Sequence, residues 1–114
     1  MVNGAPYCPK RGDLVWMVFD PRVDHEQSGL RPAMVVSPTV YNERTGLCIV
    51  VPVTSNAKGY PFEVLLPEGQ PVVGVILVDH IRSVDWRARQ CRFLSEGPSD
   101  VWNEVRAKLE LLLS

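Results

Sequence analysis

Short apolar segments that end in proline, glycine or polar residues constrain the fold of this chain more than any other feature. β-branched and aromatic side chains dominate segments such as residues 13–19 and 47–53, as is typical of strands. Prolines follow or interrupt such segments at Pro21, Pro38 and Pro52. Because proline donates no backbone hydrogen bond, a strand must end, bulge or lie at an edge there. The pattern predicts a mainly β protein built from short strands.

Two helices complete the predicted secondary structure. The first covers residues 38–45, with Gly46 after its last turn. The second follows Asp100, where apolar residues recur at helical spacing. These elements imply a small β-barrel in one domain, residues 1–114, with the C-terminal helix packed over it. The strands are predicted at residues 13–19, 33–36, 47–53, 62–66, 72–79 and 86–93.

Length and composition favour a single soluble domain. A chain of 114 residues with 46% hydrophobic content can bury its apolar side chains without disulfide or metal support. Its longest apolar runs are far shorter than the roughly 20 residues that cross a bilayer. The N-terminus lacks the basic and apolar segments of a signal peptide. We expect a cytoplasmic protein that does not contact a membrane.

The cysteines indicate neither a disulfide framework nor a metal site. Cys8, Cys48 and Cys91 are odd in number and widely spaced, whereas disulfide frameworks and thiolate metal sites use pairs at characteristic spacing. Cys48 lies within an apolar run and is predicted to be a small core residue. The sequence gives no reason to expect a metal or another cofactor.

Charge is distributed unevenly along the chain. The formal net charge of −1 argues against a general polyanion-binding protein. Positive charge is nevertheless concentrated at Arg82, Arg87, Arg89 and Arg92, and Asp85 is the only acidic residue of that segment. The segment either contacts phosphate groups or forms an ordinary solvated face.

A polar segment between the first two predicted strands is the strongest indication of a site. Residues 26–32 read Glu-Gln-Ser-Gly-Leu-Arg-Pro, which brings a carboxylate, a carboxamide, a hydroxyl and a guanidinium together. A strand with a buried face does not use these residues, and a plain surface turn rarely needs all of them. We expect a functional loop, because long connections between strands often carry function.

Four segments together resemble one protein family. They are residues 12–21, which begin Gly-Asp-Leu-Val-Trp and end Phe-Asp-Pro, residues 26–33, residues 54–64 and residues 79–89. In this order and spacing the chain resembles the MazF/PemK/Kid family of toxin endoribonucleases, and the MazF branch most closely. The resemblance implies an SH3-like small β-barrel that forms a homodimer. It also implies metal-independent, sequence-specific cleavage of single-stranded mRNA.

The resemblance also implies a partner and a reaction. The partner is a cognate MazE-like antitoxin whose acidic, disordered tail occupies the RNA groove. The substrate's own 2′-hydroxyl is the nucleophile, so the products carry 2′,3′-cyclic phosphate and 5′-hydroxyl ends. The same fold also serves gyrase poisons. The alternative is therefore a non-catalytic, gyrase-poison-like or peptide-binding barrel.

Arg31 and Thr54 match the catalytic residues of the family. A guanidinium can hold two phosphate oxygens and stabilise transition-state charge. The intrinsic pKa of a guanidinium is too high, however, for it to serve as the base. The alternative for Arg31 is a salt bridge with Glu26 or Asp20, and the alternative for Thr54 is an ordinary turn residue. The general base remains open between Glu26, the third predicted catalytic residue, and His25.

Several further residues are predicted to bind RNA. Gln27 carries the donor and acceptor needed to read a base edge, and Lys58 either contacts phosphate or keeps its turn soluble. Phe19, Trp16 or Tyr60 can stack on unpaired bases, although Trp16 is favoured as core because alternation places it opposite Phe19. His80 replaces the family's usual glutamine, which leaves its role open. The predicted RNA-binding set is Gln27, Lys58, Phe19, Ser37, Arg87 and Arg89.

Overall fold

Seven strands and two helices form the described part of the chain, which comprises residues 7–19 and 29–114 of a computed structural model. A single 3-10 turn, Val78–His80, follows the fifth strand. The elements are β1 (Asp13–Val18), β2 (Leu30–Val35), α1 (Thr39–Thr45), β3 (Leu47–Thr54), β4 (Glu63–Leu65), β5 (Val75–Leu77), β6 (Arg82–Asp85), β7 (Arg92–Glu96) and α2 (Ser99–Leu113).

The strands form one antiparallel sheet in the order β4-β5-β3-β2-β1-β7. Strand β3 is long enough to pair with β6 through residues 47–50 and with β5 through Val53 and Thr54. Pro52 lies between these two paired stretches, so its missing N–H falls where β3 changes partner rather than at a sheet edge. Within the described residues β4 and β7 end the sheet, and the predicted small barrel is therefore open.

Apolar side chains alternate between two clusters on opposite faces of the sheet. Leu14, Met34 and Ile76 belong to the larger cluster, which α2 covers with Val101 and Val105. The smaller cluster is built from Val15, Met17, Ala33, Val35, Cys48, Val50, Val84 and Trp86. The predicted C-terminal helix and its apolar face are thereby confirmed.

The three cysteines lie in or against the smaller cluster. Cys48 is fully buried, as predicted. Burial raises the pKa of Cys48 and Cys91 to about 12, and burial also raises the pKa of Cys8. Because a protonated thiol is a poor nucleophile, these side chains act as packing groups near neutral pH.

Two predicted strands are corrected by the structure. The segment 86–93 is a turn followed by the start of β7, because Trp86 turns inward and its Nε1 donates to the Asn42 carbonyl oxygen at 2.9 Å. The segment 72–79 keeps only β5 as a strand. Gly74, at φ +127°, lies so close to β3 that an added Cβ would be 2.1 Å from the Thr54 carbonyl oxygen.

Helix α1 ends as the sequence predicts. Gly46 adopts the left-handed conformation at φ 73°, and its N–H donates to the Asn42 carbonyl oxygen, as is common after a helix C-terminus. In the part of the chain that the structure describes, neither helix is long and apolar enough to cross a membrane.

Candidate active site and RNA interface

Strand pairing brings Arg31 and Thr54 together although they are 23 positions apart in the sequence. The pairing of β2 with β3 places Ala33 opposite Pro52. Arg31 lies two positions before Ala33, and Thr54 lies two positions after Pro52, which puts both at the same end of this antiparallel pair. Arg31 belongs to β2, opposite Met17 of β1, so the prediction that a loop carries it is wrong.

The two side chains line one cleft of about 380 Å³, which we call the Arg31 cleft. Among the described residues that line it, Arg31 carries the only charge, and Thr54 and Ser55 carry hydroxyl groups. Arg31 is exposed to solvent. A solvent-accessible guanidinium without a neighbouring carboxylate in its cleft is well suited to an anionic group. The other lining residues are Trp16, Leu30, Pro32, Val53, Pro71, Val72 and Val73.

Trp16 serves both the core and the cleft. It lies in β1 opposite Pro32, and it packs against the larger apolar cluster. This packing agrees with its predicted core position, but Trp16 is only partly buried and also lines the Arg31 cleft. The sequence could not indicate this double role, because alternation assigns a residue to a face and does not show where that face opens.

A second cleft of about 240 Å³ adjoins the first and shares Thr54 with it. We call it the Asp79 cleft. Sequence reasoning placed Lys58 at a site but missed Asp79 and Glu63, although both lie within the family-like segments. The structure also places His80, whose role was open, in this cleft. Its lining residues are Thr54, Asn56, Lys58, Tyr60, Glu63, Leu77, Asp79 and His80.

The loop that carries Lys58 and Tyr60 is held from both sides. The Glu63 carboxylate accepts hydrogen bonds from the backbone N–H groups of Lys58 at 3.0 Å and Gly59 at 2.9 Å. From α2, the Lys108 ammonium donates to the carbonyl oxygens of Pro61 at 2.7 Å and Glu63 at 2.9 Å. These bonds fix the loop that forms one wall of the Asp79 cleft.

Thr54 combines a turn role with its position in the site. Its hydroxyl oxygen accepts the backbone N–H of Asn56 at 3.1 Å, a bond typical of threonine at the end of a strand. That bond leaves the hydroxyl proton available as a donor. The two interpretations of Thr54 offered by the sequence are therefore compatible.

Three further residues of the predicted RNA-binding set, Phe19, Arg87 and Arg89, lie outside the linings of both clefts. Arg89 donates to the carbonyl oxygens of Val18 and Phe19 at the end of β1. The guanidinium of Arg82 lies 5.1 Å from the centre of the Phe19 ring, and that of Arg87 lies 4.6 Å from the centre of the Trp86 ring. Part of the arginine-rich segment thus has structural partners, and its contact with RNA stays a prediction.

Ser37 is a structural residue. It is 3% exposed, its hydroxyl donates to the Asn42 side-chain oxygen, and the same oxygen atom of Ser37 accepts the N–H of Ile49 at 2.8 Å. These bonds satisfy a buried polar group next to α1. We correct the predicted RNA-binding role, because the side chain does not reach the surface.

Three sequence candidates, His25, Glu26 and Gln27, lie outside the described residues. Their predicted roles as base candidates and as a base-reading residue therefore stay predictions. The structure describes the residues on both sides of them, up to Phe19 and from Gly29 onward. The N–H of Phe19 donates to the Gly29 carbonyl oxygen at 2.8 Å, which joins the end of β1 to the residue before β2.

Comparison with known proteins identifies the same family along nearly the whole chain. The family model of PemK-like, MazF-like toxins of type II toxin–antitoxin systems matches residues 10–113. The endoribonuclease toxin MazF of Escherichia coli strain K12 is 45% identical over 107 residues, which cover 94% of this chain and 96% of that protein.

Solved structures give the same result for the fold. The crystal structure of MazF (Form-I) from Deinococcus radiodurans is 56% identical, with a TM-score of 0.86 over 95% of this chain and 98% of that one. A structure of MazE-MazF (Form-II) from the same organism matches with 53% identity and a TM-score of 0.85, over 95% of this chain and 97% of that one.

The open barrel matches solved MazF structures, and a relative that is 45% identical over nearly the whole chain is an endoribonuclease toxin, so the fold and this likeness define the class as a small toxin endoribonuclease. The chain belongs to the family of PemK-like, MazF-like toxins of type II toxin–antitoxin systems. The family, the barrel fold and the endoribonuclease class predicted from the sequence are thereby confirmed.

Proposed function

We propose that this chain is the toxin of a type II toxin–antitoxin system and cleaves single-stranded mRNA at a specific short sequence without a metal ion. Cleavage would inhibit translation and growth. The observation that supports the proposal most directly is the Arg31 cleft, which Arg31 and Thr54 both line. None of the described residues that line it carries a carboxylate that could pair with the guanidinium. An RNA phosphate matches this cleft in charge.

The reaction uses the RNA's own 2′-hydroxyl. Its oxygen attacks the adjacent phosphorus and loses its proton to a base, while the bond from phosphorus to the 5′-oxygen breaks and that oxygen takes a proton from solvent. The products are a 2′,3′-cyclic phosphate and a 5′-hydroxyl. Arg31 stabilises the charge that develops on the pentacovalent phosphorane, and the Thr54 hydroxyl donates to one of its oxygens. Glu26 or His25 accepts the proton.

The partners in this proposal are a second copy of the chain and an antitoxin. A MazE-like antitoxin with an acidic, disordered tail would place carboxylates against Arg31 and so compete with RNA. The MazE-MazF structures of the Deinococcus radiodurans relative support an antitoxin of this kind. We place the complex in the cytoplasm, where the mRNA substrate is available.

Incubation of the purified protein with mixed-sequence RNA in excess chelator tests the proposal. We expect fragments with 5′-hydroxyl ends and cyclic phosphates, cut at one recurring short sequence. Intact RNA, or fragments that carry 5′-phosphate, would contradict it. Inhibition of DNA supercoiling with the RNA left intact would instead select the gyrase-poison alternative.

A further inference from the structure

His80 is an ionisable side chain of the Asp79 cleft that the reaction described above does not use. In that reaction the leaving 5′-oxygen takes its proton from solvent. We propose that the His80 imidazolium is the general acid that protonates this oxygen. The inference rests on the proposed function, because it names a further catalytic residue for the same cleavage. It concerns this chain in particular, since the family that the chain resembles usually has glutamine at this position.

The pairing of β3 brings the turn that carries His80 close to Thr54. Strand β5 pairs with β3 at Val53 and Thr54, and β6 pairs with β3 at residues 47–50. The 3-10 turn Val78–His80 joins β5 to β6, so it runs alongside the part of β3 that lies between these two paired stretches. The side chains of His80 and Thr54 consequently line the same cleft.

The turn that carries His80 is anchored to the core. Val78 is fully buried in the larger apolar cluster, and its N–H donates to the Phe62 carbonyl oxygen at 3.0 Å. Helix α2 and strand β3 both pack against the turn. His80 itself is exposed. An exposed imidazole on an anchored turn can meet the substrate without a rearrangement of the backbone, which lowers the entropic cost of the reaction.

Thr54 lies between the cleft that suits the phosphate and the cleft that contains His80. It lines both of them. In the proposed reaction the non-bridging oxygens of the phosphate lie at Arg31 and Thr54. The attacking and leaving oxygens lie roughly in line on opposite sides of the phosphorus. An axis that crosses Thr54 therefore directs one of these two oxygens into the Asp79 cleft.

The oxygen on the side of His80 is assigned as the leaving one. The candidates for the base precede β2, whose first residue, Leu30, lines the Arg31 cleft. A base from that side takes the proton of the 2′-hydroxyl, and the 5′-oxygen is then on the opposite side. The two clefts divide the reaction between them. The Arg31 cleft stabilises the phosphate, and the Asp79 cleft protonates the leaving group.

An imidazole is chemically suited to this step. Histidine side chains ordinarily exchange a proton near neutral pH, and a positioned general acid contributes about 100-fold to 10,000-fold to a rate. The proton passes from a ring nitrogen of His80 to the 5′-oxygen as the bond between phosphorus and that oxygen breaks. The neutral imidazole then takes a proton from solvent, which restores the acid for the next cut.

The other charged groups around the turn do not offer a comparable acid. Carboxyl groups are ordinarily ionised near neutral pH, and an ammonium group ordinarily keeps its proton there. From α2, the Lys108 ammonium is engaged by two carbonyl oxygens of the neighbouring loop and lies 3.5 Å from a Glu104 carboxylate oxygen. Strand β3 contributes no charged side chain. Besides His80, the charged residues that line the cleft are Lys58, Glu63 and Asp79.

A substrate with a sulfur leaving group tests the assignment directly. A defined oligonucleotide with the recognised sequence is made with the bridging 5′-oxygen at the cut replaced by sulfur. Because a thiol is a much stronger acid than an alcohol, a thiolate leaves without prior protonation. We expect His80→Gln to lower the single-turnover rate constant about 100-fold on the oxygen substrate. The same variant should cleave the sulfur substrate at about the wild-type rate.

The pH dependence of cleavage gives a second measurement. A general acid must be protonated, so the wild-type rate should fall on the alkaline side, and His80→Gln should lack this fall. His25→Gln removes the other histidine and should keep it. Glu68→Gln is the matched control for the surface, because Glu68 is an exposed turn residue outside both clefts. It should behave like wild type on both substrates.

Other outcomes refute the assignment while cleavage stands. If His80→Gln slows the oxygen and sulfur substrates equally, or raises KM without a change in the single-turnover rate constant, His80 contributes to RNA binding and is not the general acid. An alkaline fall that persists in His80→Gln has the same meaning. If the wild-type protein leaves both substrates intact, the proposed function fails and the general acid fails with it.

Discussion

The Arg31 cleft and the Asp79 cleft share Thr54 but differ in charge. The described lining of the first contains one guanidinium and no carboxylate, whereas the second contains two carboxylates with Lys58 and His80. A guanidinium attracts a phosphate group, whereas carboxylates repel it. Thr54 therefore lies between a cleft whose charge suits a phosphate group and a cleft whose charge does not. Substitutions that alter one cleft can show whether the function of the other cleft also changes.

Arg31→Ala should have the largest effect. Removal of the guanidinium eliminates the only described positive charge in its cleft, and the cleavage rate should fall about 100-fold or more. The residual cuts should keep the wild-type sequence preference, because the residues outside the Arg31 cleft are unchanged. Single-turnover cleavage of a defined oligonucleotide measures both quantities.

Arg106→Ala is the control, since Arg106 lies on α2 and pairs with Glu110 at the exposed surface. It should cleave like wild type. If Arg31→Ala cleaves RNA at the wild-type rate, Arg31 does not stabilise the reacting phosphate. The division of roles between the two clefts would then be wrong.

Gly74→Ala should have the next largest effect, on the wall that both clefts share. At φ +127° a Cβ would be 2.1 Å from the Thr54 carbonyl oxygen, so β3 and β5 must separate. We expect a loss of about 3 kcal/mol in the free energy of unfolding, measured by denaturant titration.

Gly69→Ala provides the comparison, because Gly69 also has positive φ (+91°) but nothing within 4 Å of an added Cβ. It should cost only about 1 kcal/mol from backbone strain. Equal losses in the two variants would mean that strain, not the approach of Gly74 to Thr54, dominates.

The strands with strong apolar alternation could be predicted from sequence, and the turn around Trp86 could not. Segments 13–19 and 47–53 nearly coincide with β1 and β3, since burial of both faces requires β-branched residues there. The segment 86–93 failed because its turn depends on a bond from the Trp86 indole to Asn42, a residue 44 positions away. Local patterns carry no information on such a bond.

The candidate site shows the same limit. Family likeness identified Arg31 and Thr54, but only the pairing of β2 with β3 shows that they share a cleft. The sequence did not indicate Asp79, because Asp79 forms a cleft only together with Thr54 and Tyr60, which belong to other parts of the chain. Ser37 was misassigned, since no pattern shows that its hydroxyl is taken up by Asn42 and Ile49.

Thr54→Val should have an intermediate effect, mainly on the Arg31 cleft, although Thr54 also lines the Asp79 cleft. Valine keeps the shape but removes the hydroxyl that would donate to phosphate, so kcat should fall about tenfold. Thr54→Ser should recover most of the rate because it restores the donor. A tenfold loss in kcat without a change in sequence preference would support the division. Altered preference in Thr54→Val would show that the shared wall also helps to read the base.

Lys108→Met should have the smallest effect and should act on the second cleft alone. Methionine retains an apolar stem but loses the ammonium that binds the carbonyl oxygens of Pro61 and Glu63. The loop that carries Tyr60 should then be less ordered. Because RNA binding must then immobilise one more side chain, KM should rise about threefold.

The measurement is KM and kcat on one oligonucleotide, with Lys10→Met as the control for loss of a lysine charge outside both clefts. Because Lys108 lines neither cleft, kcat should be unchanged in Lys108→Met. A fall in kcat with constant KM would show that the order of the Asp79 cleft is transmitted to the reacting phosphate, and the two clefts would then act as one site.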